Sequence, residues 1–197
     1  GMLVVANSAA LTQACGCAAF DTGDQKAQGK ALEAYVNAHG GINGRPVKVV
    51  FATLDATRTQ PYAAFYEQQC TTWTQDNHVA AAISVGQGLS SDALPACLGR
   101  RGVALAAWTK GGISQRMLQK WPLFTAPTYM SMDRTYRALV ERLNARGYFK
   151  TGKVGLLRFD TSDYEQVAAK VIKPQLARHG VTLAAEQAFA MPESTAD

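Results

Sequence analysis

No apolar run in this 197-residue chain approaches the roughly 18 to 20 residues of a membrane-spanning helix. Charged residues are sparse at 18% and low-complexity tracts are absent, while 47% of residues are apolar. That balance describes a globular chain with enough material for a real core, as one large domain or two small lobes. Histidine occurs three times and cysteine four times. Neither Cys15-x-Cys17 nor the distant Cys70 and Cys97 has a usual zinc spacing, and His39, His78 and His179 stand in no ligand-like pattern with them, so no metal is expected. GxSxG, HExxH and GxxxxGK[ST] are all missing, which removes the hydrolase elbow, the zinc-peptidase helix and the triphosphate loop.

The cysteines are even in number and favour a disulfide, which would make this an exported protein. Gly1-Met2 reads as an expression scar, consistent with a leader already removed. The rival is a lipobox-like leader, "LVVANSAALTQAC", against which stand Asn7, Ser8 and a first basic residue only at Lys26. The net charge of +5 is uneven: residues 1–98 carry 5 Lys+Arg against 7 Asp+Glu, and residues 99–197 carry 15 against 8, giving −2 and +7. Arg134, Arg137, Arg142 and Arg146 alternate with Tyr136, Leu139, Val140 and Leu143 as the polar side of an amphipathic helix. No aromatic interleaving accompanies them, so a solvated face is expected and no nucleic-acid partner.

Periodicity then gives an order of elements. Leu3 to Ala6 is β-prone, a helix runs from Asp24 to Gly40-Gly41 with Leu32, Tyr35 and Val36 on one face, and Val47 to Leu54 reads as a buried strand. A second helix starts at Pro61 and ends at Gln75-Asp76-Asn77. Val79 to Val85 is a strand, "GQGLSS" opens a helix ending near Gly99, and Val103 to Ala107 is a strand. This βαβαβαβ alternation requires parallel strands with right-handed crossovers, hence an α/β, doubly wound fold. Between Trp108 and Asp133 the pattern lapses, apart from a short strand at Leu123 to Ala126, which places a boundary near residue 128: lobe one at 1–128 and a partial lobe two at 129–197. The second part continues as a helix from Asp133 to Arg146, a strand from Lys153 to Phe159, a helix from Tyr164 to Arg178 that Pro174 should kink or end, and a strand from Val181 to Phe189.

Ligands of open parallel sheets sit beyond the carboxyl ends of the strands. That points to loops Asn7–Asp21, Asp55–Gln60, Gly86–Ser91 and Trp108–Gly112. The "GQGLSS" loop offers flexible backbone, two hydroxyls and a helix start suited to a carboxylate, although Ser90 or Ser91 as an ordinary N-cap explains the same residues. The histidines are expected to cap helix ends or face solvent. Asp160 and Asp163, with Ser162 and Tyr164, read equally as ligand contacts or a capped helix start.

The stretch "GDQKAQGKALEAYVNAHGGINGRPVKVVFATLDA" strings together a helix, a Gly-Gly-Ile-Asn-Gly corner and a strand ending in an acidic residue. With "CTTWTQDNHVAAAISV", "LPACLGRRGVALAAW" and "KVGLLRFDTSDYEQ", it resembles the type I periplasmic-binding fold, specifically the branched-chain amino acid (Leu/Ile/Val) type of solute-binding protein from ABC importers, over nearly the whole chain. The resemblance implies a monomeric, non-enzymatic protein without cofactor, in the periplasm or lipid-anchored at the cell surface. It would hold a small polar solute between two lobes and deliver it to ABC permease subunits. Carried over by position, Gln87, Gly88 and Ser90, then Trp108 and Thr109, would hold the ligand's carboxylate and amino group; Tyr164 would close over it, and Phe20 would add an aromatic wall. Gly86-Gln87-Gly88-Leu89 in place of a hydroxyl run, and the bulky Trp108, leave a larger or aromatic solute as open as an amino acid. Members of the family are roughly twice as long, so the chain is expected to end inside lobe two. The resemblance also sharpens the cysteines: right-handed crossovers set the helices of Cys70 and Cys97 side by side on one face of the sheet, implying a disulfide between them. Whether Cys15 and Cys17 pair stays open. A receptor's ligand-sensing domain, or a small doubly wound enzyme using Asp163, Tyr164 or a loop cysteine, are the alternatives.

Overall fold

The computed structural model describes residues 1–6, 23–55, 61–84, 92–107, 113–127 and 130–189. They form two compact units, one comprising residues 1–111 and 121–127, the other residues 112–120 and 128–192.

The first unit is built on strands β1 (Met2–Ala6), β2 (Phe51–Asp55), β3 (Ala81–Ser84), β4 (Ala104–Ala107) and β5 (Phe124–Thr125). All pair in parallel, in the order β2-β1-β3-β4-β5, with Leu3 opposite both Ala52 and Ser84, and Ser84 opposite Ala107. Helices α1 (Gln25–Ala38), α2 (Tyr62–Thr71) and α3 (Ala93–Arg100) connect them. The parallel sheet expected from the βα alternation is therefore present. One face carries the core: Leu3, Leu54, Ala82 and Leu105 are buried with Tyr66 and Trp73 of the α2 segment and Leu94 and Leu98 of α3.

Two expectations change in this unit. The strand read from Val47 begins only at Phe51, because the backbone before it is engaged by α1. Asn37 accepts from the Val47 N–H at 2.6 Å and donates to its carbonyl at 2.8 Å, while Glu33 accepts from the Val49 N–H at 2.6 Å. Groups satisfied by side chains are not available for a ladder. The apolar stripe of α1 also faces outward, with Leu32 53% and Tyr35 63% exposed, and the buried positions are Gln25 and Gly29. Gly29 permits a close approach: a Cβ there would lie 2.7 Å from the Phe51 ring and 2.8 Å from the Met2 sulfur. Gln25 completes the attachment by accepting from the Val5 N–H at 2.8 Å.

After α1 the corner closes as expected. Gly40 has φ 92°, Gly41 donates to the Val36 carbonyl at 2.9 Å, and Asn43 and Gly44, both at positive φ, turn the chain so that Ile42 and Arg45 form an antiparallel bridge. Helix α2 ends in a π-helical stretch, Thr72–Asp76, in which Trp73 is fully buried. The disulfide between Cys70 of α2 and Cys97 of α3 is present, with Cα atoms 6.2 Å apart.

The second unit holds α4 (Gln115–Lys120), α5 (Met132–Ala145), β6 (Val154–Phe159), α6 (Ser162–Val167), α7 (Lys173–Arg178) and β7 (Leu183–Phe189). β6 and β7 pair in parallel with a register shift after Val154, so that Phe159 lies opposite Phe189. Met132, Val140, Val167, Val171, Ile172 and Leu176 form its core, against which Tyr136, Phe149, Val154, Leu156, Tyr164 and Leu183 pack. Pro174 does not break the chain's helical course. A π-helical stretch, Ala168–Ile172, runs directly into α7 through helical backbone at Ile172 and Lys173, so the proline falls at the change from π to α spacing, in the first turn of α7.

Candidate functional site

In the first unit Ala6 pairs with Asp55 at the carboxyl ends of β1 and β2, and Ser84, opposite Leu3, pairs with Ala107 at those of β3 and β4; these ends lead into residues 7–22, 56–60, 85–91 and 108–112. Those loops lie outside the described residues. With them go Phe20, Gln87, Gly88, Ser90, Trp108 and Thr109, as well as Cys15 and Cys17. At the threshold of the third loop stands Ser84, buried, with a hydroxyl that has no hydrogen-bond partner among the described residues.

In the second unit both strand ends are among the described residues, with residues 190–197 outside them. Phe159 closes β6 and Phe189 closes β7; their rings lie 4.6 Å apart, and the Asp160 N–H donates to the Phe189 carbonyl at 2.8 Å, holding the two strand ends together. Tyr164, in the first turns of α6, meets Phe159 edge-on at 5.4 Å with an interplanar angle of 72°. These rings, with Tyr136 and Leu156, line a cleft of about 230 Å³. Tyr164 was expected at a ligand site; Phe159 and Phe189 were not, since their pairing depends on a strand register that periodicity does not contain.

Charges around the cleft are matched within the protein. Arg158, nearly buried, donates to Glu186 at 2.9 Å and stands 3.9 Å from Asp160; Lys173 reaches the other Glu186 oxygen at 2.5 Å. Hydrogen bonds from Lys173 and then Arg158 hold the Glu186 carboxyl below its ordinary range. Asp163, read as ligand contact or helix cap, accepts from Ser114 at 3.0 Å and from Arg116 at 2.5 Å, tying the α4 segment to α6. Thr161, and not an aspartate, occupies the N-cap of α6.

Of the histidines, His39 bonds the Tyr35 carbonyl at 2.8 Å through Nδ1, as a helix-end residue should. His179 instead pairs its Nε2 with Glu141 at 3.1 Å, and His78 has a left-handed φ of 48°. Among the described residues no group of His, Cys, Asp and Glu is arranged to hold a metal ion, and no helix is long and apolar enough to cross a membrane.

A parallel sheet in 2-1-3-4-5 order, with helices in the crossovers, followed by the start of a second βαβ unit, is the type I periplasmic-binding-protein fold. Solved structures share it. The branched-chain amino acid transporter substrate-binding protein LivJ from Streptococcus pneumoniae, in complex with isoleucine, matches 97% of this chain with a TM-score of 0.58 and 16% identity. Two solute-binding proteins of ABC transporters from R. palustris, one in complex with benzoate and one with 4-hydroxybenzoate, match 97% and 100% with TM-scores of 0.59 and 0.60 at 16% and 15% identity. The chain spans about half the length of these proteins, 49%, 48% and 48% respectively. No protein-family model and no curated protein matches the sequence.

Proposed function

We propose that this chain serves an ABC importer as part of an extracytoplasmic solute-binding protein, which holds a small polar solute, an amino acid or related carboxylate, between lobe one (1–128) and a lobe two of which 129–197 is a part, and delivers it to the membrane permease. The observation that carries the reading is the group Phe159, Tyr164 and Phe189, gathered at the carboxyl ends of parallel strands where this fold class takes its ligands. The isoleucine, benzoate and 4-hydroxybenzoate of the solved neighbours support the solute class. The Cys70–Cys97 disulfide supports an oxidising compartment.

In this reading Gln87, Gly88 and Ser90 receive the carboxylate, Trp108 and Thr109 flank the solute, and Phe20 and Tyr164 enclose it. The protein has no catalytic step. Its work is a change of population, because contacts made by both lobes favour a closed state only if they are stronger there than in the open one. Isothermal titration against a panel of amino acids and small carboxylates checks this: saturable one-to-one binding with the solute recovered unchanged is expected. Chemical turnover of a panel member, or a panel without any binding, defeats the reading.

A further inference from the structure

We infer that the exposed face of α5, with Arg178 of α7 beside it, docks on the anionic phospholipid surface of a membrane. The inference goes beyond the solute-binding reading and does not depend on it. Residues 132–153 carry Arg134, Arg137, Arg142, Arg146, Lys150 and Lys153 against only Asp133 and Glu141. Met132, Tyr136 and Val140 pack into the core of the second unit. At 3.6 residues per turn, the three arginines of α5 and Arg146 at its C-cap fall on the side turned away from that core, and all four are exposed.

None of these four guanidiniums has an ion-pair or hydrogen-bond partner among the described residues. The two carboxylates are engaged elsewhere. Asp133 accepts from the Gln115 N–H at 2.6 Å, while Glu141 accepts from Gln175 of α7 and pairs with His179 at 3.1 Å. Arg178 donates to that same Gln175 at 3.3 Å, which brings a fifth guanidinium next to α5. A surface that only keeps a protein in solution intersperses both signs of charge, and this one does not.

Phosphate is the acid that fits. A planar guanidinium meets phosphate oxygens with two parallel hydrogen bonds, and arginines spread over about 18 Å of helix match a field of headgroups better than one small anion. Gly147, at φ 77°, closes α5, and the Tyr148 N–H donates to the Leu143 carbonyl at 3.1 Å, so that a tyrosine 63% exposed stands beside Arg146. A ring with a polar tip suits a membrane interface. An open recess of about 510 Å³, lined by Arg146, Tyr148 and Thr151 among others, has room there for a headgroup. An exposed helix face is convex and suits a fluid sheet that adjusts to it; an acidic peptide, which needs a groove to hold it, is the competing occupant.

Cosedimentation of the full chain with vesicles of phosphatidylglycerol and of phosphatidylcholine tests this. Phosphatidylglycerol should be preferred at least tenfold at about 0.1 M salt, and the preference should vanish near 1 M. Arg137→Gln/Arg142→Gln should weaken binding about twenty-five-fold, roughly fivefold per charge. Arg45→Gln/Arg100→Gln, which takes the same charge from the first unit, should leave it near wild type. Circular dichroism confirms folding; if the α5 pair is not folded, Arg146→Gln alone, with a loss of about fivefold, decides. Equal binding to the two lipids, binding to neither, or equal losses from the two pairs of substitutions overturns the proposal. Polyglutamate that binds more tightly than the vesicles, and loses that binding in the α5 pair, overturns it in favour of an acidic protein. None of these outcomes bears on the solute titration.

Discussion

Gly41 shows how much one backbone position can require. Its φ of 73° is left-handed, and a Cβ there would stand 2.0 Å from the Arg45 carbonyl oxygen, inside the turn that joins α1 to the approach of β2. Gly44 is also left-handed, at φ 74°, but nothing lies within 4 Å of its added Cβ. Gly44→Ala should therefore cost only the conformational term, about 1–2 kcal/mol, and Gly41→Ala distinctly more, because the Arg45 backbone has to move. Urea denaturation of both variants separates the terms; equal losses would show that the Arg45 contact is irrelevant. Glu186 makes a different kind of prediction. Its carboxyl is depressed by Lys173 and Arg158, so its contribution to stability is present above the ordinary carboxylate value of 4.5 and lost as pH falls through the lower, folded value. Glu186→Gln should lower the denaturation midpoint at neutral pH, and its gap from wild type should narrow as the pH is taken below 4.5. A gap that persists in acid would assign the loss to packing.

At the scale of elements, the Cys70–Cys97 bridge ties α2 to α3 across 27 residues of chain, and α3 is the helix that follows the 85–91 loop. The chain-entropy account gives such a loop about 3 to 4 kcal/mol, so a Cys70→Ala/Cys97→Ala double variant should lose roughly that much in urea, and a loss below about 1 kcal/mol would contradict it. Pro174 behaves oppositely. An interior helix proline costs about 3 kcal/mol, but at the start of α7 the substitution Pro174→Ala should change stability by less than about 1 kcal/mol. A gain near 3 kcal/mol would mean that the proline strains the helix. Alternating β and α periodicity and the 39–46 corner were legible in the sequence because each follows from local chemistry or from chain connectivity, and the partnership of Cys70 with Cys97 followed from the family resemblance together with right-handed crossovers. The π-helical stretches were not, since a shift from i+4 to i+5 leaves no mark in composition. Leu32 and Tyr35 misled because an apolar stripe shows which side of a helix could be buried, while Gly29 decided which side was. Of the candidate site only Tyr164 could be followed into described structure, and its companions Phe159 and Phe189 become neighbours only through the register of β6 on β7.

For the molecule as a whole, the consequence that matters is linkage between ligand and stability. A solute that binds only the folded protein should stabilise it visibly. At a free concentration one hundred times the dissociation constant the gain is about 2.7 kcal/mol. For a chain of this size that is a rise of roughly 5–10 °C in the midpoint of thermal unfolding. Differential scanning fluorimetry across the carboxylate panel should find that rise for a narrow set of related compounds, growing with the logarithm of concentration once the site is saturated. A rise that stops growing after saturation is inconsistent with selective binding to the folded state. A rise produced equally by sulfate and by every carboxylate would indicate general salting effects on the basic residues of 99–197, and a specific solute site would then have no support from stability.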